Sequence, residues 1–189
     1  GEKIKYRPFL VKEQKTLMMA SESGDEKQIR DSLAGIIYSC TFEKVDPFTI
    51  PMFDVEFLFL RIRGKSVGEK IELNLLCPDD GETRVKTNLN LEDVGVNQKL
   101  GHTSEISITD KIKIIMNYPT LNDMVGMNGN ENAGFDEVID MMKRCIHEVH
   151  DGETVHSKID MSDSDLNEFI ESLTNDQFQG LADFFDTMP

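Results

Sequence analysis

Glu69-Lys70-Ile71-Glu72-Leu73-Asn74-Leu75-Leu76-Cys77, Pro78-Asp79-Asp80-Gly81-Glu82 and Thr83-Arg84-Val85-Lys86-Thr87-Asn88-Leu89-Asn90-Leu91 form the stretch that decides the fold class. Before it, apolar residues recur at helical spacing; here the period changes to that of extended chain. The middle segment carries Pro, Asp and Gly, which favour turns by presetting φ, by bonding the local backbone and by tolerating positive φ. The flanks are therefore predicted to pair as an antiparallel hairpin. A third strand is expected over Glu105 to Tyr118, where Ile106, Ile108, Ile112, Ile114 and Met116 fall at even spacing.

Outward from the hairpin the pattern is helical. Phe9 to Ala20 reads as a helix with Leu10, Gln14, Leu17 and Met18 near one face and Pro8 at its start. Asp25 to Cys40 places Ile29, Leu33, Ile36, Ile37 and Cys40 on one stripe. Pro51 to Arg63 carries Phe53, Val55, Phe57, Leu58, Phe59 and Ile62; Pro at the first turn and Gly64 past the end favour helix over strand. Beyond a Gly- and Asn-rich loop at Gly126 to Gly134, Phe135 to Val149 reads as a helix, Asp151-Gly152-Glu153 as a turn and Val155 to Met161 as a short extended piece. Ser162 with Asp165, then Thr174 with Gln177, are N-cap signatures that open two successive helices. The expectation is an α+β, helix-rich single domain over residues 1–189, with a small antiparallel β-sheet and a C-terminal helix pair. Its parts are N-terminal helices (1–65), hairpin plus third strand (66–118) and a C-terminal helical part (119–189).

The chain carries 20 Lys and Arg against 35 Asp and Glu, a net charge of -15. Binding to nucleic acid or to anionic membrane needs clustered cations, so neither is expected; a protein partner with basic patches is. No apolar run approaches the ~20 residues that span a bilayer. The three cysteines, Cys40, Cys77 and Cys145, are widely spaced and odd in number, which points to a reducing compartment rather than a disulfide framework. Gly1 in place of Met reads as a cleavage scar, and no signal-peptide core follows it.

Catalytic constellations are not expected. Ser104 and Ser107 lie near His102 without a nucleophile elbow, and Gly64-Lys65-Ser66 lacks the upstream glycine of a phosphate loop. Asp160, Asp163 and Asp165, like Asn128-Gly129-Asn130-Glu131-Asn132, miss the calcium-loop register. Cys77-Pro78-Asp79-Asp80-Gly81 has Asp where a zinc knuckle needs its second Cys. One alternative is kept: Cys145, His147, His150 and His156 could serve a metal-binding module or metal-dependent hydrolase. A weaker one is an acidic, host-directed mimic of nucleic acid, favoured by charge alone.

Three blocks together resemble one family. They are Tyr6-Arg7-Pro8-Phe9-Leu10-Val11-Lys12-Glu13-Gln14-Lys15 leading into Leu17-Met18-Met19-Ala20-Ser21-Glu22; Phe53-Asp54-Val55-Glu56-Phe57-Leu58-Phe59-Leu60-Arg61-Ile62-Arg63-Gly64-Lys65-Ser66-Val67-Gly68-Glu69; and Leu173-Thr174-Asn175-Asp176-Gln177-Phe178 closing on Phe184-Phe185-Asp186-Thr187-Met188-Pro189. The chain resembles the baseplate hub and hub-assembly proteins of T-even-type tailed phages. The resemblance implies a non-enzymatic, structural or chaperone-like role in tail assembly. It implies no cofactor, other baseplate and hub proteins as partners, and a place in the host cytoplasm during assembly and in the virion baseplate. Some relatives carry C-x-x-C in the hairpin; here Asp80 replaces the second Cys. The Phe9 to Ala20 helix and the Phe184 to Pro189 tail are apolar segments of the kind that lies in a partner's groove. Phe9, Met18, Met19, Phe184, Met188 and Pro189 are the candidate partner contacts, whereas Phe178, Leu181 and Phe185 are assigned to the core. On that reading Phe184→Ser leaves folding nearly intact.

Overall fold

The computed structural model describes residues 3–97, 99–124 and 134–189. Its contacts divide the chain into two compact units, residues 1–96 and 97–189. The Gly- and Asn-rich loop at 126–133 lies outside the described residues.

The first unit opens with α1 (Val11–Ser23) and α2 (Glu26–Cys40). Gly24 ends α1 at φ 66, a left-handed conformation that costs Gly little. Asp25 then caps α2, its carboxylate accepting from the backbone N–H of Lys27 and Gln28 at 2.9 and 3.2 Å. Helix α2 buries Ile36, Ile37 and Cys40 of the expected stripe and Ala34 beside them, with Ile29 and Leu33 half-buried. Helix α1 does not bury its expected face. Leu10 and Met18 are exposed, and the buried positions are Glu13 and Ala20. The cause is the Glu13 carboxylate. It accepts from Arg7 Nη1 and Nη2 at 3.0 and 2.7 Å and from the Leu10 N–H at 2.6 Å, so the helix turns its acid inward. The backbone N–H of Arg7 donates to Cys40 O at the end of α2, and that of Phe9 to Ser66 Oγ, each at 2.9 Å.

Helix α3 (Met52–Val67) buries Val55, Leu58, Ile62 and Gly64. Its expected stop at Gly64 is corrected. Gly64 sits inside the helix, where an added Cβ would meet Glu69 Cγ at 3.5 Å and Leu91 Cδ1 at 3.8 Å. The residue that ends α3 is Gly68, at φ 105. Strands β1 (Lys70–Leu76) and β2 (Arg84–Asn90) follow, paired antiparallel from Lys70↔Asn90 to Leu76↔Arg84 without a register shift. At the turn Asp80 accepts from the Glu82 and Thr83 N–H groups and from Thr83 Oγ1 at 3.0, 2.9 and 2.5 Å. Those bonds, the Thr83 hydroxyl first, hold its carboxyl down at about 2.

The second unit holds β3 (Glu105–Ser107), β4 (Ile112–Met116), α4 (Phe135–Cys145), β5 (Ile146–Asp151), β6 (Thr154–Ser157), α5 (Asp163–Glu171) and α6 (Asn175–Thr187). Its four strands form an antiparallel sheet in the order β3-β4-β5-β6. Two expectations change. The third strand is a hairpin, because Thr109 Oγ1 accepts from the Lys111 and Ile112 N–H groups and folds the chain back after Ser107. It joins this sheet instead of extending the β1–β2 pair. The helix expected to run to Val149 stops at Cys145, and the next residues pair with β4. Ile146 and Val149 satisfied a helical stripe; as strand residues they reach the same core, because a register shift at Ile115/Met116 leaves His147 as an extra residue between paired Ile146 and Glu148. The β5–β6 turn is Gly152-Glu153, with Gly152 at φ 63.

The C-terminal helix pair is as expected. Ser162 and Asp165, then Thr174 and Gln177, form reciprocal capping boxes. Ile114, Met116, Met142, Cys145, Ile146, Val149, Leu166, Ile170, Leu181 and Phe184 close the core of this unit.

The Arg7–Glu13 pair yields a prediction. The Arg7 hydrogen bond holds the Glu13 carboxyl below its usual 4.5. A depressed folded-state pKa contributes stability above the unfolded value and loses it as pH falls through the folded one. Glu13→Gln should cost about 2 kcal/mol at neutral pH, since it leaves Arg7 without its carboxylate. In urea unfolding at stepped pH, the gap to the parent should close as pH falls below 4.5.

Candidate interaction surfaces

The C-terminal tail was the expected contact surface, and the structure divides it. Phe184 is 2 % exposed. Its ring stacks on Tyr118 at a centroid distance of 5.6 Å, lies 5.2 Å from His102 and meets Phe185 edge-on at 5.1 Å. Phe184 is therefore a core residue, and its assignment to a partner surface is corrected: the last turns of α6 direct it inward beside Leu181. Phe178 and Phe185 pack half-buried on the same core.

His102 locks this corner. Thr187 Oγ1 donates to Asp183 O at 2.6 Å, so it accepts from His102 Nδ1 at 2.9 Å. Nε2 then accepts from the Tyr118 hydroxyl at 2.8 Å. Both ring nitrogens of His102 are thus engaged, one by Thr187 and one by Tyr118. Met188 and Pro189 are half-buried; the Met188 N–H donates to Phe184 O at 3.0 Å.

The Cys/His group does not converge. Cys145 is buried, its sulfur 3.7 Å from Met141 Sδ, and burial pushes its thiol up to about 12, far from a ligating thiolate. His150 Nε2 lies 2.9 Å from Glu148 and His147 Nε2 3.6 Å from the same carboxylate. His156 stands on β6 opposite Val149. Cys145 ends α4, whereas His147 and His150 stand on the bulged strand β5. Among the described residues no group of three or more His, Cys, Asp or Glu could hold a metal ion. Cys77 is half-buried at the hairpin turn, with Asp80 occupied by its own loop.

The first unit carries two open apolar surfaces, and the second unit exposes Phe135, Val155 and Ile159 as well. Phe9 is half-buried, whereas Met18 and Met19 are 55 % and 60 % exposed. Met19 borders a groove of about 680 Å³ between α1 and α2, floored by Ala20, Gly35 and Ile36 and flanked by Lys12 and Asp31. The second surface was not singled out from the sequence. The N–H of Leu91 donates to Glu69 O and that of Cys77 to Thr83 O, each at 2.7 Å. With the register, these bonds make Ile71↔Leu89, Leu73↔Thr87 and Leu75↔Val85 the hydrogen-bonded pairs, with all six side chains on one face. Leu75, Val85 and Leu89 are exposed there. The other face is polar and holds Lys86 3.0 Å from Glu72. Odd-numbered alternation was visible in the sequence; the turn register that aligns the two rows was the missing signal.

Phe184→Ala should destabilise the protein by about 3–5 kcal/mol, the cost of emptying a buried aromatic site. Met188→Ala should cost less than about 1 kcal/mol. Urea unfolding of the two variants beside the parent measures both.

No described helix is long and apolar enough to cross a membrane. Comparison with curated proteins and with solved structures gives no match. A family model described as T4 bacteriophage base plate protein matches residues 1–189. The chain thus belongs to the T4-type phage baseplate family, as its three sequence blocks had indicated.

Proposed function

We propose that this protein is a non-enzymatic component or assembly factor of the baseplate hub, acting in tail morphogenesis through contacts with other hub proteins in the host cytoplasm. The observation that carries the reading is the pairing of a baseplate-family match over the whole chain with large apolar side chains left uncovered in the first unit. Met18 and Met19 on α1, Phe9 ahead of that helix, and Met188 and Pro189 at the end of the chain are the contact residues in this reading. Methionine suits such a surface because its unbranched thioether adapts to a partner's shape. A net charge of -15 favours partners with basic surfaces and opposes close self-association.

The test is co-expression with each hub protein encoded by the same phage, followed by size-exclusion chromatography. At least one stoichiometric complex is expected; failure with every candidate overturns the proposal. The double substitution Met18→Ser, Met19→Ser should leave unfolding free energy within about 0.5 kcal/mol of the parent, since both side chains are exposed. It should weaken that complex about tenfold or more, the loss expected when a central apolar contact is removed.

A further inference from the structure

We infer that the β1–β2 hairpin is an acceptor for one extended segment of a partner protein, apolar at alternate positions and basic at both ends, which adds to the outer edge of β2. The inference rests on the hub-assembly reading for the identity of the partner and on the hairpin itself for the mode of binding.

A two-stranded ribbon with one apolar face is marginal in water until a third strand or another layer covers it. Here both conditions for a third strand are present. Because the odd-numbered residues form the inward hydrogen-bonded pairs, the backbone N–H and C=O groups of Arg84, Lys86 and Asn88 point out from β2. Among the described residues none of these groups has a hydrogen-bond partner. On β1, by contrast, Asn74 O accepts from Arg84 Nη1 at 3.4 Å. The edge of β2 has no proline and no bulge, two of the devices that block strand addition, and its charged Arg84 and Lys86 side chains lie on the face opposite the apolar row. A strand laid along it would extend the row of Val85, Thr87 and Leu89 and bury alternate side chains on the apolar face.

Charge specifies the ends of that strand. The tip carries Asp79, Asp80 and Glu82, and Asp80 stays ionised because its loop donates to it. The base carries Glu92 and Asp93, with Glu69 beside them paired to Lys65 at 2.9 Å. Lys70, Lys86 and Arg84 belong to the opposite face, where Lys86 is paired with Glu72. An occupant with lysine or arginine at each end meets acids at each end. A second copy of this chain would bring like charge to both.

The probe is a labelled synthetic peptide of alternating valine and threonine with a lysine pair at each end, titrated against the full chain by fluorescence anisotropy. Binding is expected, and a glutamate-ended version should not bind. Asn88→Pro removes an outward N–H while sparing the β1–β2 ladder, and should weaken binding about tenfold, equivalent to one or two main-chain hydrogen bonds. Val85→Glu, which leaves the backbone untouched, should do the same. Absence of binding, or equal binding by both variants, overturns the inference. So does a dimer of the free chain that Asn88→Pro abolishes, which would give the edge to a second copy. Slow hydrogen exchange at Lys86 and Asn88 in the free monomer would also overturn it, by showing the edge already covered. A hub-protein complex that survives Val85→Glu would sink this inference and leave the functional reading standing. Peptide binding without any hub complex would do the reverse.

Discussion

The hairpin of the first unit is tied to α3 at its base, and the exposure of its far end follows from that. Gly64 lies where Leu91 and Glu69 come against α3, so that even a single added Cβ would be in contact with both side chains. Arg61, its guanidinium 4.7 Å above the Phe57 ring, donates to Leu91 O at 3.2 Å and to Val94 O at 2.8 Å. Together they fix where the strands leave the helix. The ladder then runs to the turn with no helix over Leu75 and Val85. Apolar surface of this kind costs free energy in water, roughly 25 cal/mol per Å². A partner strand of the kind inferred above would recover that energy on binding.

Elsewhere the protein spends polar groups on rigidity. Glu13 gathers Arg7 and the start of α1, while Arg7 and Phe9 carry the same segment to α2 and α3. A buried acid with three donors is costly to disturb from either side, because removing one partner leaves the other desolvated and unpaired. In the second unit His102, Tyr118 and Thr187 do the equivalent for the last turns of α6. His102, which lies near Ser104 and Ser107 in sequence, thus bonds Thr187 and Tyr118 in the fold.

The starts of α2, α5 and α6 were legible because their chemistry is local. Asp25, Ser162 and Thr174 each supply an acceptor to amides two or three residues ahead, and no distant residue is needed for that bond to form. The β1–β2 turn was legible for the same reason. Strand β5 was not. Ile146 and Val149 fit a helical stripe as well as a strand, and the choice came from β4 offering a ladder to residues remote in sequence. Phe184 was misassigned for a related reason: the helix containing it was evident, but not which neighbours, Tyr118 and His102, would line the side it faces.

By itself the sequence determined the α+β class, the capped helix pair, the hairpin and, through three blocks of residues, membership of a baseplate family. All of these depend on spacing and on bonds between near neighbours. Tertiary structure alone decided that α1 buries an acid, that α4 gives way to a bulged strand, that the last Phe pair closes a core, and that one face of the hairpin stays bare. The physical reason is common to these outcomes. Periodicity states which side chains share a face, but burial requires a second surface, and that surface comes from parts of the chain far away in sequence.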